Sequence, residues 1–207
     1  MVEAMGGVRG WGVLLAAMAA LLGAGSARAD GDAPLFRIGP HDLGLSIGYG
    51  HGSSITSTGR IEGKLVRELV VVGVWRIALT REPREPALYK GVLSLRIEPS
   101  LIVNFEPRGG VAGGAAAMLR YELTRWGRTR PYLEGGAGII GLSFDLFDQA
   151  DGLAFNPTAG VGLVHRLSDR LTLDVACRFQ HISNAFTAYP NGGIEAFQYL
   201  AGVSYRL

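Results

Sequence analysis

The chain has one cysteine, Cys177, which excludes an internal disulfide, and no paired His or Cys spacing suggests a metal site. Neither staples nor zinc hold it together. It also lacks an excess of either charge, with 20 Lys+Arg against 18 Asp+Glu, so there is no reason to expect nucleic acid or a polybasic membrane anchor. Long apolar runs are scarce, and the one that stands out lies near the start. Arg9 precedes the run Trp11 to Leu22, and Ala27-Arg28-Ala29 supplies a small-x-small cleavage site. Residues 1–29 therefore read as a cleaved signal peptide, the run being short for a spanning helix and ending in small residues. Residues 30–207 then fit a single domain.

Glycine, by contrast, is abundant at 31 residues, and much of it falls inside alternating runs, as at Gly44, Gly48, Gly135, Gly136, Gly160 and Gly162. Glycines so placed fit bends and close packing in a small barrel better than they fit helices. The alternation itself is clear in several stretches. Leu43, Leu45, Ile47 and Tyr49 oppose Gly44, Ser46, Gly48 and Gly50. Leu93, Leu95, Ile97, Leu101, Val103 and Phe105 oppose Ser94, Arg96, Glu98, Ser100 and Asn104. Pro99 interrupts this last run and predicts a bulge there. Similar runs cover 111–123, 155–165 and 171–183, the last strand covers 195–207, and a strand over 132–144 is glycine-rich and weakly patterned. The stretch 65–77 is mostly apolar and its parity is ambiguous.

Eight strands of membrane-spanning length predict an all-β fold, an eight-stranded antiparallel transmembrane β-barrel with up-and-down connections. Parity alone fits a lipocalin-like soluble barrel equally well, with the faces reversed. The last strand favours the membrane, because its row Phe197, Tyr199, Val203, Tyr205 and Leu207 carries aromatics toward both ends, as an interfacial girdle does. The opposite parity of the barrel collects Arg96, Glu98, Arg120, Glu122, Asp174, Arg178 and Arg206, a nearly balanced set suited to a filled, mutually paired interior.

The last hairpin concentrates the chemistry. His181 and Ser183 continue the apolar parity of Leu171, Leu173, Val175, Cys177 and Phe179, and Glu195 opens the apolar parity of the next strand. Residues i and i+2 of a strand share a face, roughly 7 Å apart, so the imidazole and hydroxyl can approach each other. Glu195 can reach the far side of the imidazole. The three have the parts of a nucleophile, a base and an orienting carboxylate.

His181-Ile182-Ser183-Asn184, the loop residues Pro190-Asn191-Gly192-Gly193-Ile194, and Glu195 fourteen places beyond the histidine resemble the C-terminal signature of the PagL-type lipid A 3-O-deacylases. That resemblance implies an outer-membrane barrel of a Gram-negative bacterium with a Ser-His-Glu triad on its lipid-facing exterior. It implies hydrolysis of the 3-O-linked 3-hydroxyacyl chain of lipid A, with lipopolysaccharide as substrate and outer-membrane lipids as surroundings. Ser183 would be the nucleophile, His181 the base and Glu195 the orienting carboxylate, with Asn184 at the oxyanion by motif match. Phe186 and Tyr189 in the last loop are candidate substrate contacts. No metal or other cofactor is required. A non-enzymatic barrel and an outer-membrane phospholipase stay open as alternatives. Nothing in the sequence sets the oligomeric state, and a homodimer stays open.

Overall fold

The structure, a computed structural model, describes residues 39–52, 60–61, 64–84, 87–144 and 149–207. The signal peptide expected over residues 1–29 lies outside the described residues. The strands are β1 (His41–Gly52), β2 (Arg60–Ile61), β3 (Lys64–Leu65), β4 (Arg67–Ala78), β5 (Gly91–Glu106) and β6 (Gly110–Leu123). They continue as β7 (Thr129–Leu142), β8 (Gly152–Phe155), β9 (Thr158–Arg166), β10 (Leu171–Ile182) and β11 (Ile194–Arg206). β2 and β3 form a small separate hairpin. The others run in the order β6-β5-β4-β1-β11-β10-β9-β7, and the pairing of β6 with β7 closes the ring. Every pairing is antiparallel, so the fold is a closed eight-stranded up-and-down barrel.

The sixth stave differs from the unbroken strand expected over 155–165. It is built from β8 and β9, interrupted at Asn156-Pro157, and both pieces pair with β7. Proline has no N–H to give the ladder, but its carbonyl still accepts from His181 N at 3.0 Å, so the pairing with β10 runs through the break. Pro99 also behaves differently from expectation. It pairs with Ala115 in an unshifted ladder, and the irregularity of the β4–β5 pair falls instead between Arg67 and Glu68. The side of Pro99 that lacks a donor faces Gly73, where the missing Cβ leaves room for the pyrrolidine ring.

Parity now has a direction. Across all eight staves the even-numbered residues point inward, and the odd-numbered apolar ones, Leu43, Leu45, Ile47, Trp75, Leu101, Val161, Leu173, Tyr199 and Tyr205 among them, are exposed. β4, ambiguous in sequence, follows suit, with Glu68 and Arg76 buried and Arg67 exposed. An exterior of bare Leu, Ile, Val and aromatic side chains around an interior of charges is the inverse of a soluble barrel, and water is the wrong solvent for it.

The interior is filled by paired charges. Glu134 accepts from Arg120 Nε at 2.9 Å and Arg178 Nε at 2.6 Å, and Arg178 reaches Glu98 with both terminal nitrogens, at 2.7 and 3.0 Å. Arg120 also pairs with Asp174, which accepts from Tyr132 Oη at 2.8 Å. The tyrosine ring lies under Arg120 at 3.6 Å, and it fits because position 162 is glycine, where a Cβ would stand 2.3 Å from the ring. Nearer one end a layer of Glu68, Gln198 and Gln180 is linked by hydrogen bonds of 2.8 and 2.6 Å. Nearer the other, Arg76 and Arg206 share Asp42. In the turn beyond that end, Glu82 accepts from Arg130 and Arg166, and the Arg130 hydrogen bond holds its carboxyl below the usual carboxylate range. These pairs make the barrel a rigid post, and the site sits on its wall.

Candidate active site

β10 ends at Ile182 and β11 begins at Ile194, so the loop between them leaves the barrel at the end opposite residues 39 and 207. His181 and Glu195 are directly opposite each other in the β10–β11 register, both on the outward parity. Their side chains meet: His181 Nδ1 lies 3.3 Å from Glu195 Oε1. The distance suits an ion pair, while the ring N–H is not aligned for a hydrogen bond, so a small turn of the imidazole is needed to complete one. The Glu195 side chain is 8% exposed and that of His181 24% exposed, so the carboxylate sits behind the imidazole and the imidazole reaches the surface. That order, carboxylate then imidazole then surface, is the one an orienting acid and a base require.

Ser183 lies one same-face step beyond His181 and is half-buried. Its backbone is fixed by a two-way bridge to Phe155, with Ser183 N donating to Phe155 O at 3.0 Å and Phe155 N to Ser183 O at 2.8 Å. No hydrogen bond among the described residues joins the serine hydroxyl to the imidazole. Catalytic hydrogen bonds of resting enzymes are commonly long and tighten only with substrate bound. Exposed Leu153, Phe155 and Ile139 flank the serine on the β7–β8 side, and half-buried Phe179 and Phe197, with ring centroids 5.3 Å apart, line the wall below the histidine. The three polar groups thus sit at the top of an apolar wall.

Asn184 turns inward and is buried. Its Nδ2 donates to Ala188 O at 2.9 Å, its Oδ1 accepts from Phe186 N at 3.0 Å, and its own N–H donates to Asn191 Oδ1 at 2.9 Å. In this structure its amide organises the loop. The loop needs that support, since Ala185 and Phe186 hold φ of 52° and 65°, a left-handed conformation that costs on the order of 1–3 kcal/mol each for residues with a Cβ. Phe186 and Tyr189 are thereby presented outward, strongly exposed, with ring centroids 6.4 Å apart.

Two residues that the sequence did not single out for a role touch the site. Gly193 has φ +82°, and a Cβ there would stand 2.7 Å from His181 Cε1 and 3.3 Å from Nε2. Its backbone is the wall against the edge of the imidazole that faces away from Glu195. Gly193→Ala is expected to displace the ring and lower kcat by about 100-fold, a typical loss for a misplacement of about 1 Å, while the barrel still folds. Kinetics beside a heat-modifiable gel shift check this, and an alanine variant with near-normal kcat contradicts it. The second residue, Gln149, arrives from the β7–β8 connection.

Bare apolar exterior, charged interior and closed even-numbered ring define an outer-membrane barrel, with a cluster of hydroxyl, imidazole and carboxylate at one rim. The family of lipid A 3-O-deacylases (PagL) matches residues 74–204, and the chain belongs to that family. Among solved structures it is similar to the outer membrane enzyme PagL, at 18% identity over 78% of this chain and 97% of that one, with a TM-score of 0.54. It is similarly close to Neisserial surface protein A (NspA), at 13% identity over 81% of this chain and 97% of that one, with a TM-score of 0.55. At such identities these two likenesses speak to the fold. No curated protein matches the chain. Fold and family together locate it in the outer membrane of a Gram-negative bacterium.

Proposed function

We propose that this chain is a serine esterase that hydrolyses the ester joining a 3-hydroxyacyl chain to the 3 position of lipid A. The observation that carries the reading is the pairing of His181 with Glu195 at 3.3 Å on the outward face of the barrel, with Ser183 at the next outward position of the same chain. A hydrolytic cluster that faces lipid selects an amphiphilic substrate from the surrounding leaflet. With both termini in the periplasm, after export under a signal at residues 1–29, the β10–β11 loop faces the cell exterior and the substrate is the outer-leaflet lipopolysaccharide.

In this reading Ser183 Oγ attacks the acyl carbonyl while His181 Nε2 takes its proton, and Glu195 holds the imidazole tautomer and stabilises the imidazolium. The tetrahedral intermediate collapses, the sugar oxygen leaves with the proton from His181, and the acyl chain stays on Ser183. Water, deprotonated by the same imidazole, then releases the 3-hydroxy fatty acid and restores the serine. Asn184 is the proposed contributor to the oxyanion site. Because its Nδ2 is engaged by Ala188 O, its part runs through the loop: its N–H holds Asn191 Oδ1, its side-chain amide fixes the turn, and nearby backbone N–H groups of the loop join it as the proposed donors. One donor of this kind is commonly worth about 3 kcal/mol. Phe186 and Tyr189 are proposed to meet the acyl chains or sugars from above.

The membrane tolerates this arrangement. A charge on the lipid face costs about 2–4 kcal/mol at the midplane for Lys or Arg, and only about 0–1 near the interface, where β11 begins. Shielding of the Glu195 carboxylate behind the imidazole lowers that cost further.

Release of fatty acid by the folded protein in detergent tests the proposal. Lipopolysaccharide is expected to yield one 3-hydroxy fatty acid per lipid A, and phospholipids little or none. Faster release from phospholipids would make the protein a phospholipase, and no release from either would leave a non-enzymatic barrel.

A further inference from the structure

Gln149 lies in the connection between β7 and β8, on no barrel face, yet it is only 1% exposed. Its Oε1 accepts a hydrogen bond from Gly193 N at 3.2 Å, and its Nε2 donates to Ala150 O at 3.2 Å. Its backbone bridges Asn191, and the next residue, Ala150, donates its N–H to Pro190 O at 2.9 Å. The contacts converge on three of the last positions of the β10–β11 loop, Pro190, Asn191 and Gly193. Gly193 is where a loop shift would be felt by the imidazole, since there is no room for even a Cβ between it and His181 Cε1 and Nε2. Six residues further along the same segment, Phe155 fixes the backbone of Ser183 by its two-way bridge. One segment therefore braces both the serine and the wall that sets the imidazole's position.

We propose that Gln149 is a positioning residue for the hydrolytic reaction: through the Gly193 N–H it fixes the backbone that stops the His181 ring, and so holds Nε2 in line with the Ser183 hydroxyl. This rests on the esterase reading above. It differs from a packing role in what it requires of the side chain. Packing needs volume, whereas positioning needs an acceptor at Oε1. Without that acceptor the Gly193 N–H is left buried and unsatisfied, and the loop shifts to find another partner.

Gln149→Met keeps the volume and removes the acceptor, while Gln149→Glu, assayed at a pH low enough to keep its buried carboxyl neutral, keeps both the acceptor toward Gly193 N and the donor toward Ala150 O. The full-length folded variants are to be compared in two assays, hydrolysis of lipopolysaccharide and the rate at which a fluorophosphonate labels Ser183. Expected for Q149M is a fall in kcat of roughly 10- to 100-fold with KM within twofold, and labelling slowed in proportion, as for a slightly misaligned catalytic group. Q149E is expected within about threefold of the parent in both assays. The inference is overturned by a Q149M that stays within threefold of the parent, or by a Q149E that loses as much as Q149M. It is also overturned by a Q149M that no longer folds while Q149E is normal, which assigns the residue to stability. A parent protein that neither hydrolyses lipopolysaccharide nor reacts with the probe contradicts the esterase reading itself, a result distinct from all of these.

Discussion

Ser183→Ala is expected to abolish release of the hydroxyacyl chain, lowering kcat by roughly 10⁴-fold or more, and to leave the barrel intact. The size follows from the role: with no Oγ there is no acyl-enzyme, and the remaining groups have nothing to act through. Stability should hardly change, because the serine side chain is half-buried at the rim and its backbone bridge to Phe155 survives the substitution. His181→Ala should lose about as much, and the double variant no more than either alone, since the two residues act as one unit. Release of fatty acid by each purified variant, read beside its heat-modifiable gel shift, checks this. A folded S183A with a kcat within tenfold of the parent would remove the serine from the mechanism.

Glu134→Ala should show the largest effect on stability. Its carboxylate is fully inside the barrel and accepts from Arg120 at 2.9 Å and Arg178 at 2.6 Å, so truncation takes one partner from each of two buried guanidinium groups. Breaking a buried ion pair from one side typically costs about 3–5 kcal/mol, most of it the penalty for the unpaired charge. Arg178 keeps Glu98, and Arg120 keeps Asp174, which places the expected loss within that range and short of collapse. Glu134→Gln retains an acceptor and should cost less. Urea unfolding in detergent is the measurement, and an E134A midpoint matching the parent would mean that the interior charges do not hold the barrel. Activity per folded molecule should stay near normal, because Glu134 faces the lumen and the site faces lipid.

Much of this was legible from a period of two. Alternation is a local property of each strand, so the eight staves and the shared apolar parity of His181, Ser183 and Glu195 could be read residue by residue. The direction of that parity could not, since Arg96, Glu98 and Arg178 serve a solvated surface as well as a packed lumen. The burial of Arg96, Glu98 and Arg178 inside the ring decides it. β4 was opaque because Val70, Val71 and Val72 read alike on both faces, and only its register against β1 and β5 assigns Glu68 and Arg76 to the interior. Pro99 misled because the missing donor was met by a glycine across the strand pair, a coincidence of register between distant segments. Gln149 was invisible for a similar reason: it reaches Gly193 from the β7–β8 connection, and no spacing in the chain announces the meeting. Burial of the Glu195 carboxylate behind the histidine likewise depends on how the loop folds over the wall.

The central claim is tested most directly by mass spectrometry of lipid A from Gram-negative cells that make the parent protein, the S183A variant or neither. The parent is expected to remove the mass of one 3-hydroxyacyl chain, with fragmentation assigning the loss to the 3 position, while S183A cells match those without the protein. Identical spectra in all three, with the parent folded in the outer membrane, would contradict the account.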